Sequence, residues 1–162
     1  MGRIIEKSKV NSSVMQNVRP YLQLVRLPAV FTAMADVFLG FLANHTAMGA
    51  ASGQFALLLV ASSCLYMSGL AFNDFFDRAR DARERPQRPI PSGRVSAGMA
   101  AVLASVLMVA GIFAAAAVAL QSLYVALALA LCVLAYDGLL KSTPLGPLAM
   151  GGCRFLNVML GA

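Results

Sequence analysis

Polar side chains that could bind a metal ion recur every four residues in one short segment. Asn73, Asp77 and Asp81 share this spacing, so in a helix they lie along one face, and Asp74 lies about 100° away. Two carboxylates aligned in this way repel each other, and a hard divalent cation removes the repulsion. Mg²⁺ prefers such oxygen ligands and commonly adds substrate phosphates to them. The spacing therefore predicts a magnesium-binding face.

Arginines flank a proline-rich turn that follows this segment. Arg88 and Arg94 enclose residues 89–93, in which two prolines stiffen the chain and Gly93 lets it turn. Guanidinium groups bind phosphate oxygens in a forked geometry, so an acidic face beside two fixed arginines fits a diphosphate. The other arginines of the segment are expected to contact anionic lipid or to pair with Asp74 and Glu84: Arg78, Arg80, Arg83 and Arg85.

Hydropathy determines the elements that position these residues. The 162 residues are 59% apolar and only 12% charged, about half the charged share of a soluble domain. Residues 37–73 and 95–136 contain no Asp, Glu, Lys or Arg, and each run can hold two membrane-spanning helices of about 20 residues. The sequence therefore predicts an all-α, polytopic transmembrane helical bundle. Disordered and ordinary soluble proteins are excluded.

We expect five spans, separated by short polar segments. The spans are predicted at about 28–44, 55–72, 97–120, 121–135 and from Leu148 onward, with short connections at 45–54 and 136–147. In domain terms, residues 1–26 form a basic arm, 27–162 form the transmembrane domain, and 73–96 form an Asp-rich loop.

Positive charge lies almost entirely on one side of this arrangement. The basic arm, the Asp-rich loop and residues 136–147 hold five, six and one of the 13 Lys and Arg residues, and Arg154 lies in the fifth span. The positive-inside rule places the N-terminus and the Asp-rich loop in the cytoplasm, and we expect a bacterial inner membrane. No nucleic-acid partner is expected.

One acid lies well inside the first span. Asp36 is eight residues past Pro28, and an acid at mid-membrane costs roughly 2.5–3.5 kcal/mol on insertion scales, so it usually faces a cavity or a partner. Two interpretations stay open. Asp36 binds the acceptor substrate in a polar cavity, or it forms a structural pair with Arg154 or Asn157, which share a helix face.

These residues together resemble the first Asp-rich motif of the UbiA superfamily of intramembrane prenyltransferases. The resemblance rests on the spacing N-x-x-x-D-x-x-x-D in residues 73–81, followed by R-P-I-P-S-G-R-V-S at 88–96. The order of two spans, the Asp-rich segment, two more spans and a Tyr/Lys loop also matches. The resemblance covers the chain from about Tyr21 onward, and the motif layout favours an EboC-like subgroup linked to the Ebo operon.

The resemblance implies a bundle of about nine transmembrane helices around a central cavity, of which this chain is the N-terminal half. It implies an enzyme that uses Mg²⁺ to transfer a prenyl group from a polyprenyl diphosphate to a small, often aromatic, acceptor in the membrane. Asn73, Asp77 and Asp81 would be metal ligands, with Asp77 and Asp81 catalytic. The implied substrate-binding residues are Arg88, Arg94, Tyr136 and Lys141.

The chain departs from the family pattern in two places. Tyr136 and Lys141 are five residues apart, where four is commoner, and no second Asp-rich motif follows Lys141. Because the sequence stops inside an apolar stretch, we expect that a longer chain follows and that this half alone is inactive.

Other classes of protein use similar chemistry. A non-catalytic UbiA-like carrier or assembly protein that keeps the lipid-diphosphate site remains an alternative, and a second Asp-rich motif downstream would disfavour it. CDP-alcohol phosphotransferases are disfavoured because no D-G-x-x-A-R precedes Asp77. Hydropathy excludes the soluble isoprenyl diphosphate synthases.

Overall fold

A computed structural model describes residues 18–44 and 52–162, which form helices joined by short loops, with no strand in these ranges. The helices are residues 18–25 (α1), Val30–Asn44 (α2), Ser52–Phe76 (α3), Arg78–Glu84 (α4), Ala97–Ala116 (α5), Leu120–Ala135 (α6) and Gly146–Gly161 (α7). A 3₁₀ turn, Leu27–Ala29, joins α1 to α2, and a π-helical turn, Tyr136–Leu140, continues α6. The all-α prediction is confirmed.

Four stretches of the described chain are long and apolar enough to cross a membrane. They are Val18–Asn44, Ser52–Phe76, Ala97–Ala116 and Leu120–Leu140. They correspond to four of the five expected spans, and the fifth corresponds to the 16 residues of α7. Residues 1–17 of the basic arm and 45–51 of the first connection lie outside the described residues. The described end of the arm is helical, with Leu24 fully buried.

Helix α3 lies at the centre of the bundle and packs against α2, α5, α6 and α7. Small residues allow α3 and α5 to approach closely. Ser68 is fully buried on α3, and its hydroxyl donates to the Ala104 carbonyl oxygen over 2.7 Å. A Cβ on Gly111 of α5 would lie only 2.9 Å from the Ala61 carbonyl oxygen. This contact fixes the helix whose end carries the Asp-rich motif.

Helices α2 and α7 touch at two glycines. A Cβ on Gly40 would overlap the Val158 carbonyl oxygen, and a Cβ on Gly161 would overlap the Val37 carbonyl oxygen. The two backbones are therefore in direct contact, which brings the polar residues of α2 and α7 together inside the bundle.

Two helix ends differ from the prediction, and both affect the site. Helix α3 runs to Phe76 instead of ending near Phe72, and the N–H groups of Asp77 and Asp81 still donate to carbonyl oxygens four residues earlier. The predicted loop 136–147 begins with a π-helical turn, because the Lys141 N–H donates to the Tyr136 carbonyl oxygen over 2.9 Å. Both ends therefore present their polar residues from helical backbone.

Candidate active site at the Asp-rich segment

Four polar residues meet where α3 ends beside the π-helical turn. We call Asn73, Asp77, Asp137 and Lys141 the Asn73 cluster. The Asn73 amide nitrogen donates to Asp137 Oδ1 over 2.7 Å, and Lys141 Nζ lies 2.7 Å from Asp77 Oδ1. Asp137 is buried, 4% exposed. The cluster therefore combines an ammonium group with three oxygen-bearing side chains, and two of these belong to the motif.

A second group of charges lies on the adjacent face of the same segment. We call Arg26, Asp74, Asp81 and Arg88 the Asp74 cluster. Asp74 Oδ1 lies 2.7 Å from Arg26 Nη2 and 3.1 Å from Arg88 Nη1, which in turn lies 2.6 Å from Asp81 Oδ2. Both acids are buried. Arg88 therefore links two carboxylates that would otherwise repel each other, and the cluster is electrically balanced.

The motif is thus divided between two clusters, whereas the sequence placed Asp81 with Asn73 and Asp77 and directed Asp74 elsewhere. Helical hydrogen bonds continue through Asp77, so each residue adds about 100° of rotation. Asp81 then lies about 20° from Asp74 but about 80° from Asn73. Asp81 and Asp74 consequently meet at Arg88, and Asn73 and Asp77 face the turn that follows α6.

Arg94 makes its contacts outside both clusters. Its guanidinium group donates to Ser92 Oγ, to Gln23 Oε1 and to the Gln87 carbonyl oxygen. Gly93 has a φ of 73°, which confirms the predicted turn. Arg94 therefore stabilises the loop and ties it to α1.

The exposed face of α4 carries charges that contribute little to the clusters. The expected pairing of Arg80 with Glu84 is observed at 3.0 Å, and the hydrogen bond and charge of Glu84 raise the pKa of Arg80. Arg78 lies over the Phe75 ring, 4.6 Å from its centroid. These contacts fit a solvated helix surface.

A cavity of about 420 Å³ opens beside the Asn73 cluster. Most of its wall is apolar and comes from α3, α6 and α7: Leu65, Leu70, Leu129, Val133 and Met150 are among its lining residues. Asn73, Tyr136 and Asp137 line it where α3 and α6 end, and Arg26 also contributes. The cavity can therefore hold an apolar chain whose polar end lies at the Asn73 cluster.

Asp36 forms the structural pair that the sequence offered as one of two interpretations, and it does so with both partners. Arg154 Nη2 donates to its Oδ1 over 2.7 Å, and Asn157 Nδ2 donates to its Oδ2 over 3.2 Å. The Ser62 hydroxyl donates to Asn157 Oδ1 over 2.7 Å. Arg154 and Asn157 line the cavity, whereas Asp36 is not part of its described lining.

Sequence analysis missed two residues of the site, Arg26 and Asp137. Arg26 has a φ of 45°, a left-handed conformation that is uncommon for a residue with a side chain and that concentrates at functional sites. Nothing in the sequence pattern marks it. Asp137 could have been found, because it is the first charged residue after the long uncharged run 95–136.

The oxygen atoms of the site suit a hard cation that is shared with a substrate. Asn73 Oδ1, Asp77 Oδ2 and Asp81 Oδ1 make no hydrogen bond to a described residue. Within 18–44 and 52–162, no group of three His, Cys, Asp or Glu side chains could hold a metal by itself. Mg²⁺ commonly binds through one or two carboxylates and completes its shell with phosphates and water. The donor set therefore fits Mg²⁺ bound together with a diphosphate.

The fold and the two clusters define a class, polytopic membrane proteins with charged groups at the end of an apolar cavity. A family model described as the UbiA prenyltransferase family matches residues 29–162. The chain belongs to this family, which confirms the resemblance carried by the Asp-rich motif.

Curated relatives of the chain are digeranylgeranylglyceryl phosphate synthases. The protein of Haloquadratum walsbyi is 33% identical over 138 residues, which cover 83% of this chain and 47% of that protein. The protein of Saccharolobus solfataricus is 30% identical over 146 residues, which cover 90% of this chain and 51% of that protein. The chain thus spans about half the length of these relatives. They are archaeal and give no support to a bacterial membrane, and the EboC-like subgroup stays a prediction.

A solved structure shows the same fold. It is described as a digeranylgeranylglyceryl phosphate synthase in membranes, and it matches with a TM-score of 0.85 at 24% identity. The match covers 91% of this chain and 53% of the other. The helical bundle is therefore UbiA-like.

Proposed function

We propose that this chain supplies half of the site of an enzyme that transfers a prenyl group from a polyprenyl diphosphate to an acceptor within the membrane, with the help of Mg²⁺. The Asn73 cluster at the polar end of an apolar cavity carries this proposal. Membership of the family supports it, as do the relatives, whose name describes synthesis of a prenylated glyceryl phosphate. By itself, this half is expected to be inactive.

The diphosphate is held by cationic donors that the protein leaves partly unused. Lys141 Nζ is buried, and besides its ion pair with Asp77 it makes no hydrogen bond to a described residue. Arg88 uses only Nη1 for the two acids. Tyr136 lines the cavity, and we propose its hydroxyl group as a third donor. These donors bind the diphosphate, and Arg94 acts by fixing the loop that carries Arg88.

Asn73 and Asp77 of the Asn73 cluster, together with Asp81 from the adjacent Asp74 cluster, would hold Mg²⁺ through the oxygen atoms that remain free. When bound, the ion offsets negative charge on the departing diphosphate. Lys141 and Arg88 donate hydrogen bonds to the same developing charge. The bond from C1 of the prenyl group to the diphosphate oxygen breaks with its electron pair going to the oxygen. The acceptor's nucleophilic atom then bonds to C1, and the proton that it loses passes to the released diphosphate.

The apolar cavity serves the same reaction. An allylic carbon that loses diphosphate becomes cationic, and water would capture it before the acceptor could. The leucine- and valine-lined wall excludes water from the prenyl chain. We place the Asp-rich loop and the N-terminus in the cytoplasm, because 12 of the 13 Lys and Arg residues lie on that side.

The test uses the complete natural protein in membranes, with labelled geranylgeranyl diphosphate as donor. Asp77→Ala should abolish Mg²⁺-dependent transfer of label to extracted acceptors. The matched control is Glu84→Gln, which changes an exposed acid on α4 and should leave transfer unchanged. Normal transfer by Asp77→Ala would contradict the proposal. Diphosphate binding without transfer in the unmodified protein would favour the non-catalytic carrier.

A further inference from the structure

The buried polar network around Asp36 holds the side chain of Arg154, which lines the cavity. Asp36 is 8% exposed and Asn157 is 7% exposed, while Ser62 is fully buried. Asn157 is itself held by the Ser62 hydroxyl and by the Ala33 carbonyl oxygen, to which its amide donates over 2.9 Å. Both carboxylate oxygens of Asp36 accept hydrogen bonds. Asp36 is not among the residues that line the cavity, whereas its partner Arg154 is, so Asp36 would act on a ligand there through Arg154.

Arg154 itself is far from saturated. Nη2 donates to Asp36, but Nε and Nη1 make no hydrogen bond to any residue in the described ranges. Its side chain is 47% exposed. The residues one turn to either side of it on α7, Met150 and Asn157, also line the cavity, so Arg154 lies on the cavity face of that helix.

Arg154 reaches the cavity from a different helix than the residues of the proposed diphosphate site. It lies eight residues into α7, about 12 Å along the helix axis from Gly146. Asn73, Tyr136 and Asp137 line the same cavity from the ends of α3 and α6. The cavity wall therefore carries polar groups of the proposed diphosphate site on α3 and α6 and the side chain of Arg154 on α7.

We propose that Arg154 binds an oxyanion, a carboxylate or a phosphate, on the acceptor substrate, and that Asp36 is the residue that positions it. This inference rests on the proposed function. A guanidinium group offers two parallel donors to such an anion, and a low-polarity wall strengthens the contact. An acceptor anchored by its anionic end at Arg154 directs its other end toward the Asn73 cluster, where C1 of the donor would lie.

The experiment measures acceptor binding to the complete, detergent-solubilised protein by titration calorimetry, with no diphosphate present. The probes are a geranylgeranyl ether of glycerol phosphate and its phosphate-free alcohol, and 4-hydroxybenzoate and its methyl ester. The unmodified protein should bind one of the two anions about tenfold or more tightly than its neutral analogue. The probe that binds distinguishes a lipid phosphate from an aromatic carboxylate.

Arg154→Gln should remove this preference for the anion. The double variant Asp36→Asn with Arg154→Gln also removes the unpaired buried carboxylate, so it should fold normally and still lack the preference. Arg83→Gln, an exposed arginine on α4, is the matched control and should keep it. Equal affinity for anionic and neutral probes in the unmodified protein, or a preference that survives in the double variant, overturns the inference. A failure of the proposed function is detected by a separate measurement: the unmodified protein would then not bind geranylgeranyl diphosphate.

Discussion

Nζ of Lys141 lies 2.7 Å from Oδ1 of Asp77, and this ion pair joins the π-helical turn after α6 to the junction of α3 and α4. Both side chains are about four-fifths buried. A cation and a carboxylate that are distant in the sequence are thus held together in the same cluster as Asn73 and Asp137, which line the cavity. Each of them retains hydrogen-bonding capacity for a ligand.

Lys141→Gln should weaken binding of geranylgeranyl diphosphate about tenfold or more, because a hydrogen bond to a charged group contributes about 1.5–3 kcal/mol. Lys141→Arg keeps the charge and should restore part of the affinity. Equilibrium binding of the labelled diphosphate to the solubilised protein measures both. An unchanged dissociation constant in Lys141→Gln would show that the ammonium group does not contact the diphosphate.

Arg88→Gln should lower the free energy of unfolding by about 3 kcal/mol, since it leaves buried Asp81 without its cation. Arg80→Gln is the matched control. It removes only an exposed pair with Glu84 and should cost less than about 1 kcal/mol. Thermal and denaturant unfolding in detergent, followed by circular dichroism, compares the two. An equal decrease in the free energy of unfolding in both variants would contradict the role of Arg88 in linking Asp74 and Asp81.

Gly161→Ala should destabilise the bundle by about 1–3 kcal/mol, because the added Cβ overlaps the Val37 carbonyl oxygen and forces α2 and α7 apart. Gly151→Ala lies on the same helix, and a Cβ there meets no atom within 4 Å. That control should be neutral or slightly stabilising. The unfolding midpoints of the two variants are compared in detergent. A lower midpoint for Gly151→Ala than for Gly161→Ala would refute the glycine contact.

Oxidation should join Cys132 to Cys153, whose sulfur atoms lie 3.3 Å apart on α6 and α7. A small movement brings them to bonding distance. Copper phenanthroline treatment followed by peptide mass spectrometry detects the product, and Cys64 on α3 is the internal control. If Cys64 formed the major disulfide, the packing of α6 on α7 would be wrong.

The all-α fold class could be predicted from the sequence because long apolar runs alone indicate membrane-spanning helices. Long uncharged runs located the spans, but α3 continues to Phe76, four residues past its predicted end. The division of the motif could also have been derived, since seven residues return Asp81 to the side of Asp74. The four-residue spacing counted from Asn73 does not by itself show that Asp81 and Asp74 lie on the same side of the helix.

Other parts of the site depend on tertiary contacts that no local pattern carries. Arg26 reaches Asp74 only because the chain adopts a left-handed conformation before the 3₁₀ turn. Asp137 meets Asn73 because a π-helical turn replaces the expected loop. The pairing of Asp36 with both Arg154 and Asn157 likewise depends on the packing of α2 on α7.

The central claim is that the Asn73 cluster and Mg²⁺ together hold the diphosphate of an isoprenoid. Its most direct test is binding of labelled geranylgeranyl diphosphate to the complete solubilised protein, with Mg²⁺ and with EDTA, for the unmodified protein and for Asp77→Asn. We expect tight binding only with Mg²⁺ in the unmodified protein, and a loss of about tenfold or more in the variant. Equal affinity in EDTA, or in Asp77→Asn, would contradict the account.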